Sequence, residues 1–318
     1  MRVLLTGGAG FIGSHLAEGL LEQGKELVVL DNFNDFYDPR VKEQNLESVR
    51  RKGEFTLCRQ DLLDRGALEN LVKVHSPEVI VHLAAYAGVR PSLENPALYS
   101  DVNVTGTTHL LELARQHGVR QFIFGSSSSV YGVNSKVPFH EDDPVQRPIS
   151  PYAAGKRAGE LLGFVYHHNY GLPVTCLRFF TVYGPRQRPE MAIHKFTRRI
   201  EQGEQIGLYH EGKSERDYTY VDDIVQGILA ALDRPSGFEI YNLGNSRTVK
   251  LGELIRLIEE ALGKKAQVTL MAAQPGDVPI TYADISKARE KLGYEPGTPI
   301  EEGVRKFVEW FRAERFRR

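Results

Sequence analysis

The sequence predicts an α/β protein, with a doubly wound parallel sheet covered by helices on both faces and a smaller C-terminal α/β domain. Short apolar runs alternate with segments of helical spacing through the first half of the chain. These runs are continuously apolar, as expected of parallel strands that are buried on both faces. The chain has 318 residues, enough for one large domain and a smaller one. We place the domains at residues 1–183 and 184–318 and expect them to be partly interleaved.

The first part of the chain is predicted to carry strands and helices in alternation. Each predicted strand is a short apolar run, and the first of them ends in a glycine-rich turn. The predicted strands are 3–5, 27–30, 55–57, 79–83, 121–124 and 174–179. The predicted helices are 11–23, 68–75, 100–117 and one that begins near Tyr152. Residues 32–40 are interpreted as a polar, aromatic loop of unusual length.

The second part begins with a basic loop rich in turn residues, 184–189. Proline and glycine in this loop interrupt the preceding pattern, and helical spacing dominates afterwards. The predicted helices of this part are 191–202, 222–232, 251–262 and 300–312, and a short segment at 206–209 lies between the first two. We expect this part to return to the first sheet.

Composition excludes several function classes. The net charge is −1, which favours neither nucleic acids nor membrane surfaces as partners. No apolar stretch reaches the about 20 residues that span a bilayer, and no signal peptide is visible, so we expect a cytoplasmic protein. The two cysteines, Cys58 and Cys176, lie in apolar runs and are interpreted as core residues rather than a disulfide or metal site.

The glycine-rich turn predicts a dinucleotide site. Residues 6–13, Thr-Gly-Gly-Ala-Gly-Phe-Ile-Gly, follow the first predicted strand and open a helix. Glycines permit a tight turn and close approach of a pyrophosphate, which the helix N-terminus attracts. Asp31 ends the second strand, where a carboxylate binds an adenosine ribose hydroxyl and repels a 2′-phosphate, so NAD is favoured over NADP. The residues predicted to bind NAD here are Gly7, Gly10, Phe11, Ile12, Gly13, Asp31 and Asn32.

Two further strand ends extend this site. Asp61 and Leu62 follow the third strand, where the carboxylate would face the adenine amino group. The alternative for Asp61 is a helix N-cap. Leu83, Ala84 and Ala85 end the fourth strand, and their small side chains would let a dinucleotide approach the sheet edge closely.

Tyr152 and Lys156 predict a proton-transfer site for an alcohol or ketone. They stand at positions i and i+4 of a predicted helix and therefore share one face. A run of four serines, 126–129, lies at the end of the preceding strand and supplies a hydroxyl. An ammonium and a positively charged nicotinamide both favour a phenolate, so Tyr152 would act as general base near neutral pH, and Lys156 would also bind the nicotinamide ribose. The alternative is a non-catalytic protein that senses NAD(H) or binds a sugar nucleotide, which would have no need of this relay.

The chain resembles the nucleotide-sugar epimerases and dehydratases of the extended short-chain dehydrogenase/reductase superfamily over nearly its whole length. This resemblance rests on the motifs at residues 7–13, 31, 61–62, 126–132, 152–156, 178–185, 216–223 and 275–277. It implies a Rossmann-type fold and places the catalytic hydroxyl on Ser127. It also implies that Arg216 contacts the diphosphate of a nucleotide sugar and that Asp277 lies near its ribose. The family further implies a homodimer formed by the helices at 100–117 and 152–170.

The residues after Ser127 indicate which reaction follows oxidation of the sugar. Related dehydratases carry an Asp-Glu pair between the catalytic hydroxyl and the Val-Tyr-Gly sequence, and decarboxylases carry a Glu there. This chain carries Ser128 and Ser129. Elimination would lack its general acid and base, so the resemblance implies 4-epimerisation through a transient 4-keto sugar, with NAD recycled.

Substrate choice rests on the same resemblance. Residues 31–39, 87–90 and 186–191 resemble UDP-glucuronate 4-epimerases, which convert that sugar to UDP-galacturonate. A buried sugar carboxylate needs cationic or hydroxyl partners, and a fixed hydroxyl network would restrain loss of CO2 from the intermediate. The candidates are Arg90, Ser128, Ser129, Thr181, Arg186 and Arg188. The arginines have the alternatives of a solvated basic loop or diphosphate contacts, and UDP-glucose/UDP-galactose 4-epimerisation is the alternative activity.

Overall fold

Seven parallel strands form the central sheet of the structure, a computed structural model that describes residues 1–134, 136–209, 212–271 and 278–315. The strands are β1 (Arg2–Thr6), β2 (Glu26–Leu30), β3 (Thr56–Cys58), β4 (Val79–His82), β5 (Gln121–Ser127), β6 (Val174–Phe179), β7 (Thr181–Tyr183), β8 (Gln205–Tyr209), β9 (Glu215–Tyr220), β10 (Phe238–Leu243), β11 (Thr248–Lys250), β12 (Gln267–Met271) and β13 (Ile280–Thr281). The order across the central sheet is β3-β2-β1-β4-β5-β6-β10. This is the doubly wound order of a dinucleotide-binding sheet with one strand added at an edge, so the predicted fold class is confirmed.

Helices cover both faces of this sheet. They are α1 (Phe11–Glu22), α2 (Pro39–Arg50), α3 (Arg65–His75), α4 (Val89–Glu94), α5 (Pro96–Ser100), α6 (Thr107–Gln116), α7 (Pro151–Tyr170), α8 (Ala192–Gln202), α9 (Val221–Leu232), α10 (Leu251–Leu262), α11 (Ser286–Leu292) and α12 (Ile300–Arg315). A π-helical turn, Asp101–Gly106, precedes α6, and a 3-10 turn, Ser128–Tyr131, follows β5. In the described part of the chain, no helix combines the length and the apolarity needed to cross a bilayer.

The continuous apolar runs of the strands explain the two-sided core. Successive side chains of a strand point to opposite faces, so Val3 and Leu5 pack into one cluster of buried side chains and Leu4 into the other. Both clusters consist of buried side chains, and Val3, Leu4 and Leu5 have no exposed surface. The sheet therefore buries both faces, as its sequence predicts.

The second part of the chain contributes to the same sheet. Strand β10 lies parallel beside β6, with Tyr241 opposite Leu177. Strands β7, β11 and β13 pair with β9 in a smaller sheet, and β8 pairs with β12. The division at residue 183 stays a prediction, but β10 shows that the chain returns to the first sheet as expected.

Three local predictions need correction. Residues 32–40 are not loop throughout, because helix α2 begins at Pro39, with the Asp38 side chain accepting a hydrogen bond from the Arg40 N–H. Proline is favoured in the first turn of a helix, where its missing N–H would have no partner. The predicted helix 100–117 opens instead as the π-helical turn. Strands β7, β9, β10, β11, β12 and β13 were not predicted; β7, β11 and β13 have only two or three residues, and β9, β10 and β12 lack a continuous apolar run.

Candidate active site

One cavity collects almost all of the predicted site residues. It lies at the carboxyl ends of β1, β4 and β5, where the strand order reverses and where parallel sheets bind their ligands. The predicted residues in its lining are Gly7, Gly10, Phe11, Ile12, Gly13, Asp31, Asn32, Asp61, Leu62, Leu83, Ala84, Ala85, Ser127, Ser128, Ser129, Tyr152, Lys156, Thr181 and Arg188. These predicted residues, which lie between positions 7 and 188 of the sequence, therefore form one contiguous site.

The glycine turn after β1 fits a dinucleotide. Gly7 has a φ of +72°, and a Cβ on it would lie 2.8 Å from the Ala84 nitrogen. A Cβ on Gly13 would overlap the Gly7 carbonyl oxygen. Helix α1 starts directly after Gly10 without a side-chain cap, so its first N–H groups and the positive end of its dipole remain for a phosphate ligand.

Asp31 is held in place at the adenosine end of this site. Its carboxylate accepts hydrogen bonds from the Ala9 N–H at 3.2 Å and the Phe33 N–H at 2.9 Å. Lys42 of α2 lies 3.4 Å from the same carboxylate and also lines the cavity. Lys42 was not predicted as a site residue, because it lies on the inner face of α2, a helix that was itself not predicted. Among the described residues of the lining the arginine is Arg188, whose charge acts on Tyr152, so this end of the lining lacks an arginine that would suit a 2′-phosphate.

Asp61 is not the N-cap of the helix that follows it. Asp64 fills that position, and its side chain accepts a hydrogen bond from the Ala67 N–H. Asp61 instead accepts hydrogen bonds from the Asn32 side chain at 2.7 Å and from the Leu63 N–H at 2.9 Å. The N-cap alternative is therefore wrong, and the Asp61 side chain stays at the cavity.

A buried histidine supports the floor of the cavity, which the sequence interpretation also missed. His82 lies at the end of β4 and bonds to the Thr6 hydroxyl at 2.7 Å and to the Thr107 hydroxyl at 3.0 Å. Burial, and then the charge of Lys156, lower the pKa of His82 to about 3. His82 is thus neutral at pH 7. Thr6 in turn accepts a hydrogen bond from the Ala84 N–H at 3.2 Å, which fixes the strand end that lines the cavity.

Ser127 is positioned by the turn that it starts. Its Oγ accepts a hydrogen bond from the Ser129 N–H at 3.2 Å and donates one to the Ser129 hydroxyl at 3.1 Å. The hydroxyl of Ser127 also bonds to Tyr152. The strand end and the start of α7 therefore bring the two predicted proton-transfer groups into direct contact.

Tyr152 is partly buried in the cavity wall. Its ring packs edge-on against Tyr99 of α5, with 6.4 Å between ring centroids. Burial raises the pKa of Tyr152, while the hydrogen bond with Ser127 and the charge of Arg188 lower it. Burial outweighs these two effects, so Tyr152 is a neutral phenol at pH 7 in the polypeptide by itself. The phenolate predicted for the combined charges of Lys156 and a bound nicotinamide stays a prediction.

Lys156 lies one helical turn after Tyr152 and is only 4% exposed. Its Nζ donates a hydrogen bond to the Gly125 carbonyl oxygen at 2.7 Å and lies 4.9 Å from the centroid of the Phe124 ring. Burial lowers the pKa of Lys156 to about 8, and the charge of Glu160 opposes that shift. Lys156 is thus still protonated at neutral pH, but burial of its charge lowers the stability of the folded protein.

Replacing Lys156 with methionine is expected to stabilise the ligand-free protein at pH 7. The pKa of Lys156 falls from 10.5 to about 8 on folding, so the unfolded state binds this proton more tightly. The cost to the folded state reaches about 3 kcal/mol at pH 7. Wild type should regain stability relative to the variant as pH rises from about 8 to 10.5. Urea unfolding at pH 7 and pH 10 measures this, and a difference that does not shrink at high pH would contradict the assignment.

The substrate side of the cavity carries hydroxyls and one arginine. Ser128, Ser129, Thr181 and Arg188 all line it. The Arg188 guanidinium forms an ion pair with Glu190 at 3.1 Å and lies 5.7 Å from the centroid of the Phe36 ring. Its charge reaches Tyr152, which places Arg188 close to the proposed reaction centre.

Three other predicted substrate residues, all arginines in the described part of the chain, are not in the lining of this cavity. Arg186 forms a bidentate ion pair with Glu18 of α1, at 3.0 and 2.9 Å. Arg90 is exposed on α4, and Arg216 donates hydrogen bonds to the Glu215 and Pro279 carbonyl oxygens. Asp277 lies outside the described residues. Of these predicted arginines, Arg188 is thus the one that lines the cavity.

Sequence and structure comparisons identify full-length relatives. Residues 4–307 match the family model described as GDP-mannose 4,6 dehydratase. The chain is 44% identical over 308 residues to a UDP-glucuronate 4-epimerase of Thermodesulfobacterium geofontis, covering 96% of this chain and 95% of the relative.

Two solved structures have similar folds. UDP-glucuronic acid 4-epimerase from Bacillus cereus, in complex with UDP-glucuronic acid and NAD, is 35% identical with a TM-score of 0.93, covering 99% of this chain and 100% of that one. UDP-glucose 4-epimerase from Thermotoga maritima, with UDP-glucose, is 36% identical with a TM-score of 0.91, covering 99% of both chains.

Proposed function

Since this chain belongs to the GDP-mannose 4,6-dehydratase family of extended short-chain dehydrogenases/reductases, we propose that it is an NAD-dependent UDP-glucuronate 4-epimerase. The product would be UDP-galacturonate, and the overall reaction an isomerisation with no net redox change. Relatives that act on UDP-glucuronate are 40–44% identical to it over almost its whole length.

The observation that carries this proposal is the chemistry of the cavity lining around Tyr152. Hydroxyls of Ser127, Ser128 and Ser129 stand there, as part of the strand end and the 3-10 turn. Among the described lining residues the acids are Asp31 and Asp61, and both belong to the adenosine end. Elimination of water from a sugar needs a general acid and base beside the reacting carbons. The described lining residues around Tyr152 offer hydroxyls and no carboxylate for that step, which favours epimerisation over dehydration.

NAD fits the residues at the other end of the cavity. The glycine turn and α1 would hold the pyrophosphate, Asp31 the adenosine ribose, and Lys156 the nicotinamide ribose. NAD held by these residues would supply a reversible hydride acceptor, which is the chemistry needed to oxidise the hydroxyl at sugar carbon 4 and to reduce the resulting ketone on its other face. We expect the dinucleotide to stay bound between turnovers.

The chain's own residues handle the proton. Tyr152 would accept the proton of the carbon-4 hydroxyl and return it when the alcohol forms again. Ser127 contacts Tyr152 and would hold the same sugar oxygen by a hydrogen bond. Lys156 would favour the phenolate by its positive charge, once the nicotinamide charge is also present.

The same side of the cavity suits a uronic acid. A buried carboxylate is stable only when it is hydrogen-bonded and paired. Arg188 supplies the charge, and the hydroxyls of Ser128, Ser129 and Thr181 supply hydrogen bonds. Fixing the carboxylate among these groups would hinder loss of CO2 from the 4-keto sugar.

Parallel incubations test the substrate. Purified protein is mixed with UDP-glucuronate or with UDP-glucose, without added cofactor, and products are followed by NMR. We expect UDP-galacturonate from the first sugar at a rate well above any conversion of the second. Exclusive conversion of UDP-glucose would replace the proposal with the alternative 4-epimerase activity. UDP-xylose as the main product would contradict the argument from Ser128 and Ser129.

We further propose a homodimer formed by α6 and α7, and a cytoplasmic location. Apolar side chains of α7 are exposed to an unusual degree: Leu161 is 51%, Phe164 48% and Val165 45% exposed. A contiguous apolar helix face of this kind is typical of a protein interface. Free thiols such as Cys58 and Cys176 are typical of a reducing compartment.

Replacing Leu161 with glutamate is expected to weaken the dimer at least about tenfold, because it would bury charge at an apolar contact. Size-exclusion chromatography with light scattering measures the mass as a function of concentration. Val74→Glu is the matched control, since Val74 is also apolar and is 65% exposed on α3. If both variants behave as wild type does, this face of α7 is not the interface.

A further inference from the structure

Glu160 is a buried carboxylate in the helix that carries Tyr152 and Lys156. It follows Lys156 by four residues in α7 and therefore lies on the same side of the helix. Its side chain has no exposed surface, and it does not line the cavity. It takes no part in the proton transfer described above, and its burial requires another explanation.

Four hydrogen bonds saturate this carboxylate. Oε1 accepts from the Ser126 hydroxyl at 2.7 Å and from Arg178 Nε at 2.8 Å. Oε2 accepts from Arg178 Nη2 at 2.9 Å and from Arg157 Nη1 at 2.9 Å. An ionised carboxylate has room for about four donors, so Glu160 is fully satisfied.

These contacts join the elements that hold the proposed catalytic groups. Ser126 directly precedes Ser127 in β5. Arg178 lies opposite Ser126 on the neighbouring strand β6. Glu160 therefore connects the strand end that presents Ser127 to the helix that presents Tyr152 and Lys156. Arg178 continues the connection to the Tyr131 hydroxyl at 3.0 Å, at the end of the 3-10 turn.

Glu160 also supplies charge to the surroundings of Lys156. The groups that face Lys156 are Glu160 of α7, His82 of β4, and the Phe124 ring and Gly125 carbonyl of β5, and Tyr152 lines the same cavity. His82 is neutral at pH 7, as shown above. Burial alone drives the ammonium toward its neutral form, and the charge of Glu160 acts in the opposite direction.

Glu160 itself faces three cationic or polar neighbours and one thiol. Arg178, Arg157 and Ser126 hold its pKa below the usual range against the effect of burial. Cys176 of β6 lies close enough to feel its charge, which helps to raise the pKa of that thiol. Glu160 thus remains ionised throughout the pH range in which Lys156 titrates.

We propose that Glu160 is a positioning residue that keeps Lys156 charged and aligns Ser127 with Tyr152 for the proton transfer. This inference rests on the proposed function. The chemistry it serves is the same in either 4-epimerase, because it concerns the hydroxyl at carbon 4 and not the sugar carboxylate.

Titration of Lys156 by NMR in the resting protein tests the inference independently of activity. The lysine side-chain signal is assigned by its loss in Lys156→Met. Glu160→Gln should lower the Lys156 pKa by about one unit, as expected from loss of a nearby charge in the interior. Glu160→Asp retains the charge and should titrate nearly as wild type does. Arg157→Gln is the control, since it removes a partner of Glu160 but leaves the carboxylate.

Kinetics give the second readout, with whichever UDP-sugar the wild type converts. Glu160→Gln should move the alkaline limb of the kcat profile to lower pH by a similar amount, with KM changed less than about twofold, because the substrate contacts are intact. If that variant does not fold, Glu160→Gln/Arg178→Met removes both charges and should shift Lys156 in the same direction. An unchanged Lys156 titration in a folded variant would overturn the inference. A wild type that converts neither sugar would instead refute the proposed function.

Discussion

Replacing Tyr152 with phenylalanine is expected to lower kcat for epimerisation by about 10²–10⁴-fold, because proton transfer at the carbon-4 hydroxyl loses its acid and base. The ring of Tyr152 packs against Tyr99, and phenylalanine preserves that contact. The fold should therefore be retained, and KM should change little. Initial rates from coupled product analysis or NMR measure the loss.

Tyr170→Phe is the matched control for this experiment. Tyr170 is the last residue of the same helix, and its side chain is 57% exposed, far from the cavity lining. Loss of its hydroxyl should leave kcat unchanged. If Tyr152→Phe also turned over nearly as fast as wild type, the proton would have to move through another group, and the role given to Tyr152 would be wrong.

Replacing Arg178 with methionine is expected to lower the free energy of unfolding by about 3–5 kcal/mol, the usual effect of leaving a buried charge without its partner. Arg178 is 1% exposed and pairs with the fully buried Glu160 through two hydrogen bonds of 2.8 and 2.9 Å. Removing the guanidinium leaves the Glu160 carboxylate buried between β5, β6 and α7 without its main cationic partner. Urea unfolding at pH 7 measures the change.

Two comparison variants separate charge from packing. Arg157 contacts the same carboxylate at 2.9 Å, but its side chain is 28% exposed. Arg157→Gln should therefore cost less than about 1 kcal/mol. The double variant Glu160→Gln/Arg178→Met leaves no fully buried charge unpaired, because Arg157, the other partner of Glu160, is partly exposed, and it should recover most of the lost stability. Equal losses in the single and double variants would show that packing around Arg178, and not pairing, stabilises this region.

The sequence predicted the fold wherever the determining pattern is local. Continuous apolar runs marked six of the seven strands of the central sheet, all but β10. The glycines of residues 7–13 marked the first turn and helix, because backbone approach there leaves no room for a Cβ. Tyr152 and Lys156 could be placed on one helix face from their spacing alone. The carboxyl ends of parallel strands then brought these motifs to one cavity.

Features that depend on distant contacts could not be predicted in this way. Arg186 looks like a substrate residue in the sequence, but Glu18, which precedes it by 168 residues, holds its guanidinium. Lys42 lies on a helix that the pattern did not reveal. The pairing of Glu160 with Arg178 joins two elements whose sequences carry no mark of each other. Each of these depends on which elements become neighbours, which the tertiary fold decides.

The most direct test of the proposed mechanism follows the hydrogen on carbon 4. UDP-glucuronate with deuterium at that position is incubated with the purified protein, without added cofactor, and the product is examined by NMR and mass spectrometry. The proposed mechanism predicts UDP-galacturonate that keeps the deuterium on carbon 4, because the hydride leaves and returns to the same carbon. Loss of the deuterium to water, or a pentose product with release of CO2, would contradict it.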